Sequence, residues 1–430
     1  MKRRSWLVAL ALAVLASAIA ANAGYGGKAQ PATKAAKKIE VLSLWGGSEK
    51  DAFLKVTKAF TKKTGIDVDY TTARNFEPEL RTRLAAGNPP DIAIIPRPGV
   101  LFNFARQGAL KDLSKLGITS SYLKARYSPA WIQLGTVSGK VYGVAAKANS
   151  KSVVWYRPDQ FRKYKLKPAK TWTQLVQITK KLKAKKQNPW ALGAKDSWTL
   201  TDWFENIYAR WAGPDRYTRL FTGKLKFTDR SVRTSLRYMT QILNNKYVVG
   251  GVRGSLGTSF VDGIGRVFGS SAKAQLYMEG GFVGGIATQQ VNTKLKPGKT
   301  INFFPFPTIR PKYDSPLVGG GDLATAFKDS AEVRSFLKYI SSPEAGRIWV
   351  STGAIISPNK QVKAGAYPNI LVRQEAKQVS SAKTFRFDGS DLLPGSLADE
   401  WGATLQSIVQ NPKDMNDLLS EFQKKADKEF

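Results

Sequence analysis

The 430-residue chain contains no cysteine and no histidine. Without cysteine there can be no disulfide, zinc–thiolate site, thiol nucleophile or lipid-modified N-terminal cysteine. Without histidine the usual general base, the Ser–His pair and the commonest metal ligand are all missing. Hydrolases of the triad type and most metal hydrolases are thereby disfavoured, and carboxylate-pair enzymes remain open. No metal and no cofactor are expected. Acidic residues are also scarce, with 32 Asp and Glu against 67 Lys and Arg, for a net charge of +35. After the N-terminal leader no stretch is long and apolar enough to cross a membrane.

What is present is the composition of a globular protein, 42% hydrophobic and 11% aromatic, with eleven tryptophans. The length allows two domains with full cores. Lys2, Arg3 and Arg4 precede an apolar run from Trp6 to Ala21, and Ala21-Asn22-Ala23 is a small-x-small cleavage site. Residues 1–23 therefore read as a secretory signal, and 24–38 as a flexible mature N-terminus rich in Gly, Ala, Lys and Pro. A soluble, secreted, periplasmic or extracellular protein is expected, without a lipid anchor. The basic surface favours anionic partners in general. Lys180, Lys181, Lys183, Lys185 and Lys186 read as a solvated helix face, and a nucleic-acid partner is not expected of a secreted chain.

The chain is organised around Ile39-Glu40-Val41-Leu42-Ser43-Leu44-Trp45-Gly46-Gly47-Ser48-Glu49. An alternating strand ends in an aromatic residue and two glycines, and a helix follows with apolar positions Phe53, Val56, Ala59 and Phe60. Ser48 is the expected N-cap and Gly65 the expected stop. Ile66 to Tyr70 alternates as a second strand, so the domain opens as α/β. In such sheets ligands lie beyond the carboxyl ends of the strands. Gly46 and Gly47 would let a ligand approach the backbone there. Asp91 to Ile95 is a short buried strand. Val141 to Lys147 and Ser152 to Tyr156 are extended and suit a chain passing between domains. Val318-Gly319-Gly320-Gly321-Asp322 reads as a glycine turn feeding a strand, and Ser330 caps a later helix.

In their order these motifs resemble the extracellular solute-binding proteins of sugar ATP-binding-cassette importers, the family of the maltose-binding protein, with most likeness to its α-glucoside-binding branch. The resemblance is carried by Leu44-Trp45-Gly46-Gly47, Lys63-Thr64-Gly65-Ile66, Ala86-Gly87-Asn88-Pro89-Pro90-Asp91, Asp202-Trp203, Phe303-Phe304-Pro305-Phe306-Pro307, Gly319-Gly320-Gly321-Asp322 and Ser357-Pro358-Asn359-Lys360. It implies a two-lobed α/β periplasmic-binding-protein-like fold of type II. A multi-crossing hinge would join the lobes, with the ligand in the cleft between them. Lobe 1 would comprise 39–146 plus about 318–365, and lobe 2 would comprise 147–317 plus about 366–430. It also implies a monomeric, non-enzymatic protein that captures an oligosaccharide and docks on a membrane permease.

Sugars present apolar C–H faces and rings of hydroxyls, which call for aromatic planes and planar polar side chains at loop ends. The residues that meet this description are Trp45, Gly46, Gly47, Ser48 and Glu49 in the first turn, then Asn75 and Phe76 at a helix start. Arg97 follows a strand and can offer a bidentate pair to vicinal hydroxyls. Trp198, Asp202 and Trp203 form the densest tryptophan–acid cluster. Glu279 and Phe282 flank a glycine pair, Gly321 and Asp322 begin a strand, and Trp401 lies near a helix start. The resemblance places sugar contacts at several of these positions. Tyr277-Met278-Glu279-Gly280-Gly281 departs from the α-glucoside branch, which has bulkier polar residues there. Two other readings stay open: an anionic ligand on the same fold, such as a sugar phosphate or uronic acid oligomer, and a secreted glycosidase using Asp202 and Asp322.

Overall fold

A computed structural model describes residues 37–313 and 315–430. The expected signal, and all of the expected N-terminal tail except Lys37 and Lys38, lie outside these residues. Among the described residues no helix is long and apolar enough to cross a membrane.

The larger sheet has six strands. β1 (Lys38–Ser43) pairs in parallel with β2 (Asp67–Thr72) and with β3 (Ile92–Ile95). Between β1 and β2 runs helix α1 (Gly47–Thr64), and between β2 and β3 helix α2 (Phe76–Ala85). These are right-sized βαβ units, and β3 is buried along its whole length, as a strand covered on both faces must be. α1 ends at Gly65, which takes the left-handed conformation with φ 69° and returns its N–H to Thr61 O. The start of α1 departs from expectation. Gly46 is the N-cap, without any side-chain cap, and Ser48 lies inside the first turn.

β4 (Val144–Ser150) brings the chain back into this sheet and β5 (Val153–Tyr156) carries it straight out into a second one. That smaller sheet is antiparallel, with β5 between β6 (Leu276–Met278) and β7 (Asn302–Pro305). The chain then returns through β8 (Leu317–Ala326), which pairs antiparallel with β3 and β4 and parallel with β9 (Phe385–Phe387). The glycines expected to turn are thus strand interior: Gly319, Gly320 and Gly321 stand opposite Ser150, Asn149 and Ala148. Their bare backbone is what the packing requires. A Cβ on Gly321 would lie 2.5 Å from Lys147 O and 2.7 Å from the Trp131 ring.

Each sheet has its own hydrophobic core. The first gathers Val41, Phe53, Phe60, Ile94, Leu323, Phe336 and Trp349, with rings in edge contact such as Phe60 on Phe336 at 5.1 Å. The second lobe packs helix α3 (Trp198–Trp211) and helix α6 (Leu397–Gln410) around Trp203, Phe204, Phe227, Trp401 and Phe422. A third cluster, on the other face of the small sheet, holds Trp155, Tyr277 and Phe303 beside helix α4 (Phe260–Phe268). Helix α5 (Ile370–Ser380) contributes Val372 to the first core and Leu371 to the third. The result is a two-lobed α/β fold, crossed where β4 meets β5, where β7 leads to β8, and again after β9. Of the lysines expected on a solvated helix face, Lys180, Lys181, Lys185 and Lys186 are exposed and Lys183 is half-buried, and Lys185 and Lys186 lie past the helix end at Ala184.

Candidate functional site

A cavity of about 330 Å³ lies between the lobes. Its wall takes Trp45, Glu49, Asn75, Phe76 and Arg97 from the strand ends and helix starts of the first sheet, and Gly321 and Asp322 from β8. Trp198 and Phe282 come from the second lobe. These nine are the sequence candidates that the structure brings together.

Lys147 organises the first-lobe side. It ends up buried because it sits within the alanine-rich strand β4, and its ammonium lies 2.6 Å from Glu49 Oε1 and 3.8 Å from Asp322 Oδ2. Trp45 Nε1 donates to the same Asp322 Oδ2 at 3.1 Å. Asp322 stands opposite Lys147 in the pairing of β8 with β4, and a register shift directly after it leaves Ala146 without a partner. Burial raises the Asp322 carboxyl above its ordinary value, against the pull of Lys147. Burial alone would lower the Lys147 ammonium, but Glu49 and Asp322 raise it on balance. Glu49 Oε2 and Asp322 Oδ1 are left as acceptors, and Asn149 Oδ1, buried on the same wall, has no hydrogen-bond partner. A ligand hydroxyl could satisfy each of them.

The opposing wall is aromatic. Trp198 at the start of α3, Phe260 at the start of α4 and Phe282 after β6 meet, Phe282 edge to face with each of the other two and Trp198 tilted against Phe260. Their ring centroids are 5.3 Å (Trp198–Phe260), 5.9 Å (Trp198–Phe282) and 6.2 Å (Phe260–Phe282) apart, and all three rings are half-buried. Such a cluster offers an apolar plane to a sugar's C–H face.

Arg97 stands where the sequence places it, yet its guanidinium is already held. Asp399 Oδ1 lies at 2.8 Å, Asp391 Oδ1 at 3.5 Å and Glu77 Oε2 at 3.9 Å. Asp391 and Asp399 belong to the far side of the cleft, so Arg97 ties one lobe to the other. A second tie lies at the Gly46–Ser48 turn. Gln290 Oε1 faces Ser48 N at 3.5 Å, and a Cβ on Gly47, where φ is +54°, would meet that oxygen at 2.4 Å. The close approach that glycine allows is therefore made by a side chain of the other lobe. Gly46, Gly47 and Ser48 are not on the cavity wall; a Cβ on Gly46 would meet the Arg74 guanidinium at 3.0 Å.

Four further candidates lie off the wall. Trp203 is fully buried, edge-on to Trp190 at 5.0 Å and to Phe306 at 5.9 Å. Trp401 is fully buried among Phe204, Phe227 and Phe422. Both are core residues, because their helices turn those positions inward. Asp202 and Glu279 are also inaccessible, one layer behind the wall. Asp202 Oδ1 takes a bond from Lys151 Nζ at 3.2 Å.

Lys147, Asn149, Lys151, Phe260 and Asp391 line the cavity without having been singled out in the sequence. The two lysines carried a signal. A buried lysine must be paired, and two of them in the run Val144-Ala-Ala-Lys147-Ala-Asn-Ser-Lys151 imply carboxylates brought from elsewhere. The wall carries six carboxylates against four cations, so the cavity reverses the sign of the chain as a whole. Among the described residues no group of three or more carboxylates is arranged to hold a metal ion.

The model of the bacterial extracellular solute-binding protein family matches residues 46–347. The osmoprotective compounds-binding protein GgtB of Synechocystis sp. is 32% identical over 366 residues, covering 84% of this chain and 86% of its own. The alpha-glucosides-binding periplasmic protein AglE of Rhizobium meliloti is 29% identical over 373 residues, covering 84% and 80%. Among solved structures, the bacterial solute receptor AcbH, described as exclusively preferring β-D-galactopyranose, superposes with a TM-score of 0.82. The match is 18% identical and covers 91% of this chain and 99% of the receptor. Maltose-bound MalE3 of T. maritima superposes at 0.74, with 17% identity and coverage of 91% and 99%.

Proposed function

The chain belongs to the bacterial extracellular solute-binding proteins, and from that premise we propose that it captures a neutral sugar or related polyhydroxyl compound outside the cytoplasm and hands it to the permease of an ATP-binding-cassette importer. α-Glucosides are the first candidates, because AglE carries that name and shares most of its length with this chain. The naming of GgtB for osmoprotective compounds adds small compatible solutes to the candidates. In this reading the chain acts as a monomer and catalyses nothing. Lobe 1 comprises 39–146 plus about 318–365, and lobe 2 comprises 147–317 plus about 366–430, except that β9 joins the sheet of lobe 1.

The observation that carries the proposal is the open acceptor set of Glu49, Asp322 and Asn149 opposite the Trp198–Phe260–Phe282 wall. The volume is at the lower end of the usual ligand-site range of roughly 300–1,000 Å³, which suits one or two rings better than a long glucan. The excess of carboxylates on the wall disfavours a sugar phosphate or uronic acid. Ligand that binds the closed lobes better draws a pre-existing equilibrium toward them.

The test is a tryptophan-fluorescence titration with maltose, trehalose, sucrose, longer α-glucans and a uronic acid oligomer, at low and moderate salt. Saturable, salt-insensitive binding of a neutral glycoside, weakened in Trp198→Ala, is expected. Salt-sensitive binding of the uronic acid oligomer alone would replace the neutral ligand with an anionic one.

A further inference from the structure

At and behind the cavity wall five carboxylates gather near one ammonium, that of Lys151: Asp202, Asp388 and Asp391 contact it, and Glu205 and Glu279 lie further out. Four of them are accounted for, wholly or in part. Glu205 accepts from Gly389 N at 2.7 Å, from Ser390 N at 2.9 Å and from the Tyr217 hydroxyl. Asp388 accepts from Lys151, from Ser390 Oγ at 2.8 Å and from Asp391 N at 3.1 Å. Asp391 lies between Lys151 and Arg97, 3.5 Å from each. Asp202 gives Oδ1 to Lys151 at 3.2 Å. Left over are Asp202 Oδ2 and both side-chain oxygens of Glu279, all buried without a hydrogen-bond partner. The two side chains lie within hydrogen-bonding reach of each other. Two ionised carboxylates in such contact would repel, with no donor to separate them; one proton supplies the missing donor. Burial raises Asp202 well above the ordinary carboxylate range, Lys151 opposes this and the neighbouring Asp388 adds to it. Because Lys151 touches Asp202 Oδ1 at 3.2 Å and makes no contact with Glu279, the proton shared by the pair belongs on Glu279.

We propose that Glu279 is a positioning residue of the ligand site: as a neutral acid it donates to Asp202 Oδ2, and Asp202 in turn holds the Lys151 ammonium at the cavity wall. Lys151 is well placed to transmit this. It stands at the crossing between β4 and β5, 5.7 Å over the Trp198 ring, and reaches Asp391 on the wall. The backbone on either side of Glu279 is fixed. Trp155 Nε1 donates to Glu279 O at 3.1 Å, and Gly281 N donates to Ser150 O at 2.8 Å. Burial, followed by the Asp202 charge, holds Glu279 well above the ordinary carboxylate range. The other charged or titratable groups around it are Glu205 from α3, Lys151 from the crossing, and Asp388 and Asp391 from the segment after β9. Glu375 packs from α5 against Gly281, and Tyr277 precedes Glu279 on β6 with its hydroxyl on Phe260 O. Only Lys151 among these is cationic, so nothing else nearby would stabilise a second charge on the pair. Ionising Glu279 would put two anions side by side and pull the Lys151–Asp202 contact apart. Ligand binding then carries one linked proton.

The inference rests on the ligand-site reading above, and the experiment separates the two. Wild type and E279Q are compared, since an amide keeps a neutral donor in the same shape. Affinity for the sugar found in the titration is followed from about pH 6 to about pH 10, a range that brackets a raised carboxyl. Wild-type affinity should fall on the alkaline side by up to about tenfold per pH unit, the limit for one linked proton. E279Q should match wild type at the acid end, share with it any step near pH 7 that Asp391 on the wall contributes, and stay flat above that step. Two readouts need no ligand. The infrared C=O band of a buried protonated carboxyl should be present in wild type and lost in E279Q. An alkaline change in tryptophan emission should appear in wild type and be absent from both E279Q and W198F, because Lys151 leaves the Trp198 ring. A decline above about pH 8, beyond the Asp391 step, shared by wild type and E279Q, or a carboxyl band unchanged by the substitution, would overturn the proposal. If no sugar binds while both ligand-free signatures are lost in E279Q, the choice of ligand fails and the role of Glu279 stands.

Discussion

Lys147 Nζ lies 2.6 Å from Glu49 Oε1, and both side chains are at most about a tenth exposed. This pair joins the strand that leaves the first lobe to the helix that opens it. Asp322 completes the group at 3.8 Å, and the ammonium also sits 5.2 Å from the Trp45 ring centre. Removing the cation alone strands two carboxylates in a poorly hydrated place. Lys147→Met should therefore cost about 3–5 kcal/mol of folding stability, as for other broken buried pairs, and should abolish ligand binding. Denaturant unfolding with an unchanged m-value checks the first part. A variant as stable as wild type would mean that water already reaches the group.

Trp198 and Trp401 are both candidates for stacking in the sequence, and the structure gives them different work. Trp198 is half-buried on the cavity wall, whereas Trp401 is fully enclosed by three phenylalanines. Trp198→Ala should weaken ligand binding by about 2 kcal/mol, roughly thirtyfold in Kd, with little effect on unfolding. Trp401→Ala should cost about 3–5 kcal/mol of stability through the cavity it leaves. Calorimetric titration together with denaturant melts of both variants separates the two roles.

The opening strand–helix–strand unit was legible because alternation, helical spacing and a stop glycine all agree there. Glu49 was legible as a carboxylate just past a strand end, whereas Asp322, expected to begin a strand, lies in the interior of β8. Trp203 misled for a geometric reason. Five residues after Trp198 on one helix, it points about 140° away from it, so one ring meets the cavity and the other the core. Proximity in sequence does not put two rings on one face. Lys147 and Lys151 were missed because an extended run of Ala, Asn, Ser and Lys reads as an exposed hinge. Their burial depends on Glu49, Asp202, Asp322 and Asp388, which reach them only after the sheets assemble. The glycines of β8 were read as a turn because nothing local shows that Trp131 and the Lys147 carbonyl will press against them.

Arg97 and Asp399 span the cleft at 2.8 Å, with the aspartate 62% exposed. An ion pair so open to water contributes only about 0.2–1 kcal/mol. Its position makes that small energy count toward closure. Asp399→Asn should leave unfolding nearly unchanged and speed ligand dissociation by up to about fivefold, the kinetic equivalent of 1 kcal/mol. Stopped-flow displacement measures this directly. An unchanged dissociation rate would show that the lobes open without parting this pair.

Glu375 gives the fold a pH dependence of its own. Its carboxyl is buried under the chain crossing, with Oε1 accepting from Ser150 N at 2.8 Å. Burial pushes it up to about 7, opposed by that hydrogen bond and by the Lys147 charge. Between the ordinary value of 4.5 and about 7, the folded chain therefore holds a proton that the unfolded chain has released. By linkage, stability falls as the pH rises through this window and levels off above it. The full swing is on the order of 3 kcal/mol. Asp391, also pushed up to about 7, adds a slope of the same sign. Glu375→Gln keeps an acceptor for Ser150 N and cannot ionise. It should remove part of the decline and gain most over wild type at neutral and alkaline pH, while the two should converge in acid. Urea unfolding at about pH 4.5, 6, 7 and 8 tests this, and parallel profiles for the two proteins would assign the slope to Asp391 instead.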